Sequence, residues 1–286
     1  MQAAAQASAP ARRYSVTPLR DAQGNISPHF LSRELHLDQE TWREAMNDPV
    51  FAQIIAREED AERIAHASLD QLARLAPNER VRTMYLAWMR FIDETLDPWT
   101  TGGAIHFRPH WARVLMIALV LGDAAGLPEN DLKALAMAAV FHDSRRKNPY
   151  LDTGHGMRAS EYYKATAGLV DGNAEETETA SAVRSFIILP RATFDPRSFL
   201  IVRWHDRDDA DGFAAFERAA DLLEQTPADA QADVALLYRL FKDADGLDRV
   251  RLGSGQLDKR FLRTQGAIDA VPFAHELLEA SLSLSG

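Results

Sequence analysis

Four histidines in this chain stand beside helix ends or polar loops, at positions where side chains can meet. They are His110 in "HWARV", His142 in "FHDSRR", His155 in "TGHGMRAS" and His205 in "VRWHDRDD". Further on, "LFKDADGLDRVRLG" is an apolar helical stretch that carries Asp243 and Asp245. A single histidine on an apolar helix is usually a hydrogen-bonded core residue. Four of them, with an acid-bearing helix, have another use. Imidazoles and carboxylates from separate helices can converge on one point and hold a pair of divalent ions. Directly after His142-Asp143 come three cations, Arg145, Arg146 and Lys147. Arginine suits bidentate contact with a phosphate, although one or two such cations can simply solvate a loop. Arg146 is expected to face the site, while Lys147 either faces it or solvates the loop. His106 lies four residues before His110. Pro109 and Gly102-Gly103 start the helix near 109, which leaves His106 in a loop, as a structural residue or as a contact to substrate or to a ligand.

The elements that must position these groups read as helices. In "NERVRTMYLAWMRFIDETL" the apolar residues Val81, Met84, Tyr85, Trp88, Phe91 and Ile92 recur at helical spacing and make one face. "HWARVLMIALVLGDAAG" and "ENDLKALAMAAVFHD" are apolar nearly all round, which puts both in the middle of a bundle. Their chemistry-bearing residues lie at one end of each: His110 and Arg113 in the first, His142 and Asp143 in the second. Pro109 suits a first helical turn. Further helices are expected at 157–167, 175–188, 213–223 and 229–243, and a weaker one near 273–282. A helical stretch from 48 to 75 ends at Pro77-Asn78. The acids after His205 mark a helix start, capped by Asp208, Asp209 or Asp211. No sustained period of two and no internal repeat is present. The fold class is all-α.

The order of these motifs resembles the HD superfamily of metal-dependent phosphohydrolases. His110-Trp111-Ala112-Arg113-Val114 is similar to the family's first histidine motif, and Val140-Phe141-His142-Asp143 to its defining doublet. Lys242-Asp243-Ala244-Asp245-Gly246-Leu247-Asp248 is similar to the late helix with the last ligand. "HDSRR" stands where many members have "HDIGK", so Arg146 replaces the usual lysine. The resemblance covers roughly residues 100–253. It implies an HD-type helical bundle over 98–286. Outside the resemblance, helical patterning and the lack of a Gly/Ser linker give a helical segment at 31–97 packed on that bundle, and the Ala/Gln/Ser-rich start reads as a disordered tail at 1–30. For the bundle itself, the resemblance goes further. It implies His110, His142, Asp143 and Asp245 as metal ligands, and His155 and His205 as the additional ligands of two-metal members, with Asp143 bridging. Asp243 is the alternative last ligand, and Asp248 and Arg249 would orient neighbours or form a salt bridge. Asp143 and Arg146 take the catalytic roles. Arg113, Arg145, Arg146, Lys147 and His106 are assigned to the substrate.

The implied activity is hydrolysis of a phosphomonoester or phosphodiester, nucleotide-like, by a metal-activated water. The alternatives are a catalytically silent ligand-binding or sensing protein and a di-iron oxygenase on the same fold. One or two divalent ions per chain are expected, of Mn, Fe, Co, Ni, Zn or Mg. The "GYP" element of the cyclic-dinucleotide members is absent. The (p)ppGpp hydrolases carry acids soon after the doublet, where this chain has Arg145-Arg146.

Composition narrows the partners. Of 286 residues, 32 are Lys or Arg and 42 Asp or Glu, a net charge of −10. Long-range repulsion then argues against bulk nucleic-acid binding and anionic membranes, but a small phosphorylated substrate stays compatible through local cations and metal. With no cysteine, thiolate metal sites, disulfides and cysteine nucleophiles are excluded. The apolar runs are too short to span a bilayer. The N-terminal "MQAAAQASAPARRYSV" lacks the apolar core of a secretory signal. The expected location is the cytoplasm, with targeting or export by the tail left open. Residues 1–97 would serve as a lid, a homodimer contact or a targeting device. "HELLE" at 275–279 lacks the second histidine of a zinc-protease motif and reads as a surface helix.

Overall fold

A computed structural model describes residues 69–96, 108–147, 152–171, 192–252 and 257–283. About 75% of this part is helical, and no strand occurs among the described residues. The longer helices are α1 (Glu79–Thr95), α2 (Arg108–Ala124), α3 (Glu129–Phe141), α4 (His155–Asp171) and α5 (Pro196–Trp204). They are followed by α6 (Asp209–Arg218), the single turn α7 (Ala220–Leu223), α8 (Val234–Leu247), α9 (Gln265–Asp269) and α10 (Val271–Ser283). No described helix is long and apolar enough to cross a membrane. His106, the tail at 1–30, most of the 31–97 segment and the helix expected at 175–188 lie outside the described residues.

Helices α2 and α3 occupy the centre. From Trp111 to Leu119 every α2 side chain is buried, and α3 is buried from Leu132 to Phe141 except at Lys133. Such a surface needs neighbours on several sides. α3 and α8 pack against α2, and α5 packs against α3 and α8. Amphipathic α1 covers the bundle with Val81, Tyr85, Trp88, Met89, Phe91 and Ile92 buried. These residues share one core with α2 and α3, so the apolar interior runs across the boundary drawn at residue 97. Arg108 at the start of α2 pairs with Asp93 near the end of α1.

Local chemistry sets the helix ends. Asn78 caps α1 through its side chain, which accepts from the Val81 amide, so Pro77-Asn78 begins this helix. Just before it, 69–75 winds as a 3₁₀ helix. Asp195 caps α5 with Pro196 in the first turn, and Asp233 caps α8. The N-cap interaction satisfies an amide left over at each helix start. α8 thus starts at Val234, a few residues later than the expected 229. The stretch expected as one helix over 213–223 is broken at Ala219, and its first part begins earlier, at Asp209. Asp208 sits at that N-cap position, but its side chain makes no cap bond.

One buried polar tie holds the far side of the bundle. Arg197 donates to Asp131 at 2.6 Å and to Asp195 at 2.7 Å, while Asp131 also accepts from the Ala232 amide at 2.7 Å. It locks α3, α5 and the approach to α8 in one register. Buried charges persist when each is met by several partners, and this register determines where the ends of those helices lie.

Candidate metal centre

Five helix ends meet at one point. His110 is in the first turn of α2, His142 is the C-cap of α3 with Asp143 next, and His155 opens α4. His205 is the C-cap of α5, and Asp245 is in the last turn of α8. All four histidines and Asp143 are at most 5% exposed. The left-handed Gly154 (φ 81°) turns the chain into α4, and its amide donates to Asp206 at 2.6 Å. Glycine takes that conformation without steric cost.

The rings are aimed from behind. Nδ1 of His142, His155 and His205 lies 2.7, 2.6 and 2.7 Å from the carbonyls of Ala139, Asp152 and Val202. A carbonyl only accepts, so Nδ1 carries the proton and the Nε2 lone pair faces inward. His110 is oriented by a carboxylate instead, with Nδ1 2.7 Å from Asp248.

The inward atoms form two groups around Asp143. Its Oδ2 is 3.6 Å from Nε2 of both His110 and His142, whose Nε2 atoms are 3.2 Å apart. Its Oδ1 is 2.9 Å from His155 Nε2 and 3.6 Å from His205 Nε2, and those two nitrogens are 2.9 Å apart. Facing lone pairs repel unless a cation lies between them. Ligand atoms roughly 2.1 Å from one ion sit roughly 3–3.5 Å from each other, close to the 2.9–3.6 Å found. His110, His142, Asp143, His155 and His205 can therefore hold a metal ion. Asp245 lies 3.5 Å from His110 Nε2. Asp243 is turned away, accepting from the amides of Arg263 at 2.7 Å and Thr264 at 2.9 Å, so of the two acids on α8 it is Asp245 that faces the centre.

The electrostatics suit ligation at His142 and His155, whereas an ion at His205 would have to displace a proton. Burial pushes His142 down to about 3. Burial and the neighbouring Arg146 also lower His155. Both rings stay neutral and keep their lone pairs. For His205, burial acts downward but is outweighed by Asp143 and Asp206, so its proton is held more firmly. At Asp245 the upward pull of burial is outweighed by the imidazoles facing it, His110 and His142 foremost, so its carboxyl lies well below the usual carboxylate range.

The cations divide. Arg146 is buried with Nη1 3.1 Å from Asp143 Oδ1 and 3.0 Å from His155 Nε2. The Arg145 guanidinium lies over the Tyr162 ring at 3.2 Å and donates to the Ser144 carbonyl. Lys147 is exposed. Arg113, assigned to the substrate from sequence, is placed elsewhere. It is fully buried, donates to Asp248 at 2.6 Å and to Ser281 on α10 at 3.2 Å, and thus sits behind His110. The reason is charge pairing, since Asp248 needs a cation more than an interior guanidinium needs a distant phosphate. "HELLE" lies on α10 with His275, Glu276 and Glu279 exposed.

Two supporting residues had no role in the sequence reading. Asp206 is buried against the Gly154 turn, with Oδ2 3.6 Å from His155 Nδ1. Its adjacency to His205 was the available signal. Gly156 is the other. A Cβ there would lie 2.6 Å from the Val202 carbonyl and 3.0 Å from His205 Nδ1. Gly156→Ala is expected to push α4 from α5, costing about 1–3 kcal/mol and weakening metal binding more at the His155–His205 pair than at His110–His142. Urea unfolding and calorimetric metal binding check this, and unchanged values in both would refute the tight helix contact.

Compared with known proteins, the chain matches no family model, no curated protein and no solved structure, so its function has to be argued from this geometry.

Proposed function

We propose that the chain is a metal-dependent phosphohydrolase acting on a small phosphomonoester or phosphodiester, nucleotide-like, with two divalent ions bridged by Asp143. The observation that carries this reading is the division of Asp143 between two histidine pairs, with Arg146 against the same carboxylate. His110, His142 and Asp245 would hold one ion with Asp143 Oδ2. His155 and His205 would hold the other with Asp143 Oδ1. Ions so held supply an activated water near neutral pH and offset charge on a phosphoryl group.

The chain's own groups do the rest. Backbone carbonyls and Asp248 fix the ring orientations before substrate arrives, so little reorganisation is needed during reaction. Asp143, buried between them, keeps both histidine pairs in register. Arg146 and Lys147 follow it on the same turn and provide donors for phosphoryl oxygens. Arg145, buried and braced on Tyr162, adds positive potential beside the centre.

The test is a screen of the Mn²⁺-loaded full chain against nucleoside mono-, di- and triphosphates, cyclic nucleotides and bis(p-nitrophenyl) phosphate. Release of phosphate or of the ester product, lost on chelation and restored by metal, is the expected result. A fully loaded protein that turns over none of them but consumes oxygen with iron, or only binds a nucleotide, would replace this reading.

A further inference from the structure

We infer that Arg146 is a displaceable occupant of the His155–His205 half of the centre, so that the two halves load in order and the second ion must evict the guanidinium. The inference rests on the two-ion reading above and concerns how that site is regulated. Arg146 Nη1 is 3.0 Å from His155 Nε2 and 3.1 Å from Asp143 Oδ1. Those are the two atoms that, with His205 Nε2, make the second triad. The guanidinium thus meets the same lone pairs a metal ion would use. A divalent ion among those atoms would stand within a few ångströms of a like charge, and the two cannot share the donors.

The other half differs. Its histidines have a second carboxylate, Asp245, 3.5 Å from His110 Nε2. Two carboxylates and two imidazoles outrank one shared carboxylate and two imidazoles contested by an arginine. Arg146 also lies beyond the end of α3. α3 ends at Phe141, and the chain turns through 142–145 before exposed Lys147, so the side chain can swing outward without unwinding a helix. Once evicted, it stays tethered beside the ions, where a phosphate oxygen can take up its donors.

The experiment is calorimetric Mn²⁺ binding to the metal-stripped full chain and to Arg146→Gln. The native chain is expected to bind one ion tightly and a second at least tenfold more weakly. R146Q is expected to tighten the second step at least tenfold, and by clearly more than the first. Equal second steps in the two proteins overturn the inference and leave the two-ion reading standing. Failure of both proteins to bind any ion removes that reading as well. A second measurement needs no variant. With Zn²⁺ added to ¹⁵N-labelled native chain, the Arg146 Nε–H resonance should move at the second equivalent, and movement complete at the first equivalent, or none, overturns the inference.

Discussion

Asp143→Ala is expected to strip the centre of metal and to reduce phosphoester hydrolysis by at least about 10³-fold while leaving helix content nearly intact. The argument is positional. Asp143 offers one oxygen to His110 and His142 and the other to His155 and His205. No other described carboxylate touches both pairs. Removing it leaves the four imidazoles without a shared carboxylate and takes away the negative charge that makes two close cations tolerable. The fold should survive because Asp143 lies beyond the end of α3, and the turn after it is held by Ser144, whose amide and hydroxyl both donate to the Phe141 carbonyl. Elemental analysis beside far-ultraviolet circular dichroism checks this. Full metal loading in the variant would sink the ligand assignment.

Asp248→Ala is expected to act on stability and affinity together. Asp248 is fully buried and receives Arg113 at 2.6 Å, Arg251 at 3.2 Å and the His110 ring at 2.7 Å. Arg113 and Arg251 hold its carboxyl far below the usual carboxylate range, against the upward effect of burial. Its loss strands two buried guanidiniums. Removing one partner of a buried ion pair costs about 3–5 kcal/mol. His110 also loses the group that orients it, and removal of such a partner typically weakens metal binding roughly 10–100-fold. Urea unfolding of the metal-free chain isolates the first effect, and calorimetric Mn²⁺ binding reads the second. A variant with wild-type stability and affinity would show that the Arg113–Asp248–His110 chain of contacts has no such role. The linkage also gives a direction with pH. A carboxyl held this low adds stability above the unfolded-state pKa, and that stability falls as pH drops through the folded value.

The legibility of the molecule in its sequence was uneven, for reasons visible in particular residues. The all-round apolar character of 111–121 and 132–141 dictates central helices, because such surfaces have no solvent-compatible side. The spacing of Val81, Tyr85, Trp88 and Ile92 dictates an amphipathic cover helix. Residue types alone nominate imidazoles and carboxylates as metal donors, and their placement at helix ends nominates a shared point. All of that is local information, carried by periodicity and chemistry within a few turns.

What the tertiary structure decided was which way each group points. Asp243 and Asp245 are two residues apart, and nothing within the helix distinguishes a ligand from a residue tied to Arg263 and Thr264. Arg113 and Arg146 are both arginines beside a histidine, yet one is drawn behind His110 by Asp248 and the other is drawn into the centre by Asp143 and His155. Those outcomes depend on partners 135 and 9 residues away. Periodicity carries no information on pairings between helices. They follow from the register in which helices pack, set here by buried contacts such as Arg197 with Asp131 and the close approach at Gly156.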